Sequence, residues 1–163
     1  MSAETFTTAI FLITAVIAAG VLINAVFPVV YTMAGSFSSA SHESDQRLRT
    51  DFKIVTTYAN TTTGLIWMKN VGSQRISLSE ISRSDVFFGA VGDFGRLSYV
   101  DNFPVGSGQW TEYLIDLNAN SNWDPGETLE IVAKTSLPTS GNPVYFQFVL
   151  PDGIWRSTEF TVG

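Results

Sequence analysis

Residues 7–26 read TTAIFLITAVIAAGVLINAV. The only polar side chains in this stretch are Thr7, Thr8, Thr14 and Asn24, and none carries a charge. As a helix, about twenty such residues span about 30 Å, the thickness of a bilayer's hydrocarbon core. The apolar character continues through FPVVYTMAG to Gly35, and no charged residue occurs from 5 to 41. Roughly 30 helical residues would span about 45 Å, longer than the membrane requires. The pattern therefore predicts a long membrane-spanning α-helix over residues 1–38. A cleaved secretory signal would need a positive segment before the apolar run. Glu4 stands there instead, with no Lys or Arg, so the expectation is a retained helix. Ala15, Ala18, Ala19 and Gly20 form a small-residue patch on which helices can approach closely. Thr14 and Asn24 are candidates to hydrogen-bond across such a contact. Pro28 is expected to kink the helix or loosen its last turns.

Outward from this arm the composition changes. GSFSSASHESDQ is small and polar, and residues 39–50 are expected to form a flexible Ser-rich linker or the frayed helix end. From residue 51 the hydrophobic period becomes two. Phe52 and Ile54 flank Lys53, and Ile76 and Leu78 alternate with Ser77 and Ser79. Leu129, Ile131 and Ala133 alternate with Glu130 and Val132, while Val144, Phe146, Phe148 and Leu150 share one face of a later run. Further candidate strands are 65–68, 86–88, 96–100, 110–117 and 154–162. Gly, Pro and Asn cluster between them, as in VGDFG, FPVGSG and TSGNP. Seven to nine short strands at a spacing of about ten residues predict a mainly β body over 51–163, an Ig-like antiparallel β-sandwich. Its aromatic residues are expected to be packing rather than a ligand cage.

The charge pattern narrows the function. The 163 residues carry nine Lys/Arg against fifteen Asp/Glu, a formal net charge of −6, and no cysteine. Disulfides and thiol chemistry are excluded, and nothing makes the basic footprint of a nucleic-acid binder. His42 is the single histidine, and it falls in the Ser-rich segment. A lone histidine without an orienting partner does not make a catalytic base. No phosphate-binding or nucleophile-elbow motif is present, so neither an enzyme nor a small-molecule substrate is expected.

One segment carries coordination chemistry: DLNANSNWDPGE, residues 116–127. Asp116, Asn118, Asn120, Asn122 and Asp124 fall at positions 1, 3, 5, 7 and 9, with Glu127 at 12. That is the oxygen-ligand spacing of a calcium loop of EF-hand type. Position 6 is Ser121 rather than the glycine of the sharp turn, and strands rather than helices flank the loop. The competing reading is an Asn-rich turn followed by a Pro-Gly turn.

Arm and body together carry a resemblance. The uncleaved ETFTTAIFLITAVIAAGVLINAVFP helix, the Ser-rich joint and RLRTDFKI leading into a sandwich resemble the archaellum accessory proteins FlaG and FlaF. MSAETFTTAIFLI and WDPGETLEI are similar to the FlaG branch. Archaeal flagellins and type IV pilin-like subunits share the same plan. The resemblance implies a non-enzymatic stator of the archaellum motor, anchored in the cell membrane by its helix. Its sandwich would stand on the extracytoplasmic side and link the motor to the S-layer. It also implies self-association and a FlaF-like partner. Arg47, Arg49 and Lys53 would, by the positive-inside rule, hold the body in the cytoplasm. The expectation here follows the resemblance. The alternative is a pilin-like or archaellin subunit of an extracellular filament, polymerising through its helix.

Overall fold

The computed structural model describes residues 2–163. The chain divides between Asp45 and Gln46 into two units. The first is helix: α1 runs Ser2–Arg49, with its final turn in the second unit. At 48 residues it is about 72 Å long. Phe6, Phe11, Val21, Tyr31 and Phe37 are all exposed on it. Apolar residues all round a helix require a non-aqueous neighbour, and α1 is long and apolar enough to cross a membrane. Ala15, Ala18, Ala19 and Asn24 are exposed too, and nothing lies within 4 Å of where a Gly20 side chain would be. Thr14 donates its hydroxyl to the Ile10 carbonyl at 2.8 Å, within its own helix. The chain runs through Pro28 without a break, and the Thr32 hydroxyl donates to the Pro28 carbonyl.

The expected linker is not a loop. Residues 39–49 continue α1 to Arg49, and His42 lies on the helix. Two physical reasons override the serine composition. Glu43 and Arg47, and Asp45 and Arg49, stand four apart with the acid first, the favourable order along a helix. Arg47 and Arg49 also place positive charge in the last turn, against the negative end of the helix dipole. The last turn, residues 46–49, belongs to the second unit and is bonded within it. The Arg49 carbonyl accepts from Ser73 N at 2.9 Å and Gln74 N at 3.1 Å. A side chain at Gly72 would collide with the Arg49 carbonyl, so the docking turn needs glycine there.

The body holds β1 (Phe52–Ala59), β2 (Thr63–Asn70), β3 (Ile76–Ser77) and α2 (Leu78–Ile81). There follow β4 (Asp85–Ala90), β5 (Asp93–Tyr99), β6 (Gln109–Ile115) and β7 (Asn122–Trp123). The last three are β8 (Thr128–Lys134), β9 (Pro143–Val149) and β10 (Trp155–Thr161). Eight strands hydrogen-bond in the order β1-β2-β8-β6-β5-β4-β9-β10, and β3 pairs with β7. This curled sheet folds into two packed halves, β1-β2-β8-β6 and β5-β4-β9-β10. Pairing is antiparallel except at the β5–β6 junction, which is parallel over Ser98–Gln109 and Tyr99–Trp110. The Phe148 ring of β9 meets Phe52 of β1 at 5.5 Å and Trp110 of β6 at 6.1 Å, edge-on in both cases. Gly64 of β2 leaves room for Phe88 of β4, whose ring occupies the place of a side chain. The period-two reading holds in β8 and β9, where Leu129, Ile131, Ala133, Val144, Phe146 and Phe148 are buried.

The alternation at 76–79 is a strand for only two residues. Ser77 caps α2: its hydroxyl accepts from Glu80 N, and the Glu80 carboxylate accepts from Ser77 N at 3.0 Å. The SLSE capping box outweighs the short alternation, because it satisfies two helix-end donors at once.

Candidate functional site

The 116–127 loop leaves β6, passes through β7 and enters β8, so both ends are fixed to adjacent strands of one sheet. All six residues selected by spacing are brought together there. The Asp116 carboxylate accepts from Asn118 N at 3.0 Å and Ser121 N at 2.8 Å. Asn118 and Asn120 each donate a side-chain amide to Asp124 Oδ2 at 2.7 Å. The Glu127 carboxylate accepts from Leu117 N at 3.0 Å and Asp124 N at 2.9 Å. Asn122 bonds back to Asn120 through both its backbone and its side-chain nitrogen. The Asp116 and Glu127 carboxylates and Asp124 Oδ2 are thus engaged by the loop's own N–H groups. Among the described residues, no three His, Cys, Asp or Glu side chains are placed to share a metal ion. The turn that glycine would make is made by Ser121 at φ 59°, with Ala119 at φ 55°. Both lie in the left-handed region that residues with a side chain rarely adopt.

The electrostatics follow from these bonds. The Ser121 N–H, with those of Asn118 and its neighbours, holds the Asp116 carboxyl below the usual carboxylate range. The Asn118 and Asn120 amides, and then Arg75, do the same for Asp124. Each of these partners favours the ionised form.

Two residues that spacing did not select complete the site. Arg75 Nε meets Asp124 Oδ1 at 2.6 Å, with Asp124 only 8% exposed. Asn70, 1% exposed at the end of β2, ties the loop to the seat of α1. Its amide donates to the Gln74 and Trp123 carbonyls, each at 2.9 Å, and its side-chain oxygen accepts from Gly72 N. Its backbone bonds Glu127 O and Gly126 N. In KNVGS nothing but a polar residue at the end of an apolar run marks Asn70, and its partner Trp123 lies 53 residues away. An open recess of about 600 Å³ lies alongside, lined by Arg75, Leu117, Asp124 and Glu127 among others.

At the β5–β6 junction, Tyr99 donates its hydroxyl to Glu112 Oε1 at 2.9 Å, and Asp101 lies 3.3 Å from the same hydroxyl. Burial pushes the Glu112 carboxyl above its ordinary value, with Asp101 adding to the shift and the Tyr99 hydrogen bond opposing it. Burial and the same two carboxylates raise Tyr99. Glu112 Oε2 and Trp110 Nε1 are buried without a hydrogen-bond partner among the described residues.

The model of the archaeal-type flagellin family matches residues 2–160. An uncharacterised protein of Archaeoglobus fulgidus is 28% identical over 171 residues, covering 99% of each chain. Among solved structures, the archaellum periplasmic stator protein FlaG from Sulfolobus acidocaldarius is similar over 68% of this chain and 99% of its own, at TM-score 0.54 and 24% identity. The FlaF–FlaG stator complex from the same organism is similar over 67% of this chain and 87% of that one, at TM-score 0.55 and 24% identity. The archaeal flagellum of Methanospirillum hungatei strain JF1 is similar over 97% of this chain and 93% of its own, at TM-score 0.70 and 11% identity. At these identities the solved structures establish the shared fold.

Proposed function

Since the chain belongs to the archaeal-type flagellin family, we propose that it is a structural, non-enzymatic part of the archaellum, a membrane-anchored stator or scaffold. The observation that carries this is an exposed apolar helix, long enough to cross a membrane, in the same chain as a folded β body. The helix needs lipid or other helices around it. Likeness to the FlaG stator, at 24% identity over 68% of this chain, supports the stator form. The solved FlaF–FlaG complex supports a FlaF-like partner for the body. In this reading the body stands outside the membrane and reaches the S-layer.

A second reading is favoured by a separate observation: helix and body together match the archaeal flagellum subunit at TM-score 0.70. In that case α1 packs with other copies in a filament core. Cell fractionation separates the two. The stator form predicts that the chain stays with washed membranes until detergent is added, and that protease added to intact cells removes the body. Recovery mainly in sheared filaments would establish the second reading. A body protected in intact cells would overturn the extracytoplasmic placement.

A further inference from the structure

Eight asparagines occur in the chain, and Asn60 alone has a Ser or Thr two positions on. Asn60, Thr61 and Thr62 have the N-x-Ser/Thr spacing of an acceptor for an N-linked glycan, with no proline between. So short a pattern recurs by chance, and a buried or strand-paired copy of it could not react. Its place in the fold decides what it can do.

The three residues form the turn between β1 and β2, whose pairing closes at Ala59 and Gly64. All three are exposed. Asn60 Oδ1 accepts from Thr62 N at 2.9 Å, from Thr63 N at 2.8 Å and from the Thr62 hydroxyl at 3.2 Å. Asn60 N donates to the Thr63 carbonyl at 3.0 Å. The Thr61 and Thr62 carbonyls accept from Leu137 N and Thr135 N, each at 3.0 Å, so the turn is also held from the strand beyond it. The side-chain nitrogen of Asn60 takes no part in these bonds and is left to solvent. An asparagine that only shapes a turn needs only its oxygen, and aspartate serves the same purpose. Here the hairpin uses one end of the amide and presents the other. An amide nitrogen is a poor nucleophile because its lone pair is shared with the carbonyl. Donors gathered on Oδ1 draw charge toward the oxygen and make the N–H easier to deprotonate.

The turn also stands clear of the last turn of α1. That turn precedes Phe52, and β1 carries the chain about 25 Å from Phe52 to Ala59. A bulky group on Asn60 therefore displaces none of the bonds made by the Arg49 carbonyl.

We propose that Asn60 is a glycosylation site, modified by a membrane-bound transferase that uses an oligosaccharide linked to a lipid phosphate. A bond forms between Asn60 Nδ2 and the anomeric carbon of the sugar. The bond from that carbon to the phosphate oxygen breaks, its electron pair leaves with the lipid phosphate, and the amide proton passes to a base of the transferase. The inference rests on the extracytoplasmic placement of the body, because acceptors of this kind lie in surface loops of exported domains. The glycan makes the end of the body formed by the β1–β2 turn bulky and hydrophilic.

The test is peptide mass spectrometry of the full chain purified from the cells that make it, with protease added to intact cells as a parallel measure of where the body lies. The wild type is expected to exceed the 17.8 kDa of its residues, with the added mass on the peptide that contains Asn60. Asn60→Asp keeps the oxygen that holds the turn and removes the nitrogen. It is expected to lose the added mass and to melt like the parent. Thr62→Val is expected to lose it too, and Thr62→Ser to retain it. An unmodified Asn60 peptide from a body that protease removes would overturn the inference and leave the extracytoplasmic reading standing. An unmodified peptide from a body protected in intact cells would overturn both. Added mass that persists in Asn60→Asp would overturn the assignment to this residue.

Discussion

At the scale of single residues, the body depends on polar groups that have no exposed function. Asn70 makes three side-chain hydrogen bonds while 1% exposed. Asn70→Ala removes the amide donor from the Gln74 and Trp123 carbonyls and leaves the Gly72 N–H only its bond to the Asp51 carbonyl. The expected loss is about 2–4 kcal/mol, read as a fall of several degrees in melting temperature. Ser121 acts in the opposite sense. It occupies the left-handed region at φ 59°, so Ser121→Gly is expected to stabilise by about 0.5–1 kcal/mol. A loss of stability would show that the exposed side chain contributes more than the turn conformation costs. Glu112 gives a pH signature. Its carboxyl is raised in the folded chain, so the folded state holds a proton that the unfolded state has released. Stability therefore falls as pH rises from the ordinary glutamate value of 4.5 toward the folded value. Glu112→Gln should melt higher than the parent at neutral pH, with the gain shrinking in acid. Asp116 and Asp124 are lowered, so their contribution has the reverse sign. It is present above the ordinary carboxylate value of 3.8 and lost as pH falls through the folded values.

Among elements, the 116–127 loop decides between two chemistries. Asn118 and Asn120 aim amide nitrogens at Asp124, and Glu127 and Asp116 cap backbone N–H groups. A calcium ion would have to displace those donors to gather six to eight oxygens, roughly. Equal melting shifts are therefore expected from calcium, magnesium and ionic-strength-matched sodium chloride. A calcium-specific rise abolished in both Asp116→Ala and Glu127→Ala would establish the ion site instead. The seat of α1 is the second element-scale test. A methyl group at residue 72 collides with the Arg49 carbonyl. Gly72→Ala is expected to cost about 1–3 kcal/mol. It should speed amide exchange at Ser73 and Gln74, whose N–H groups bond that carbonyl.

For the whole molecule, the exposed apolar helix sets the cellular behaviour. An arginine at the centre of a membrane span costs about 2.5–3.5 kcal/mol on insertion scales. Ala18→Arg should therefore move part of the chain out of the washed-membrane fraction, while the body keeps its melting temperature. Unchanged membrane retention would mean that contacts other than α1 hold the protein there.

The sequence by itself determined the helix, the period-two body and the family resemblance, because apolar runs and alternation are local properties of the chain. It also marked residues 116–127 as a segment dense in side-chain oxygens, since that too is a local property of the chain. What those side chains do there was decided by tertiary structure. Asn70 and Arg75 come from distant points in the chain, and their bonds, with those of Ser121 N and Leu117 N, fix which oxygens are engaged. The length of α1 was likewise misjudged from composition. Serines 38, 39, 41 and 44 read as a linker, yet charge spacing and a seat formed by residues 72–74 carry the helix to Arg49. The order of the strands is also a tertiary outcome, because it is set by pairings between residues far apart in sequence.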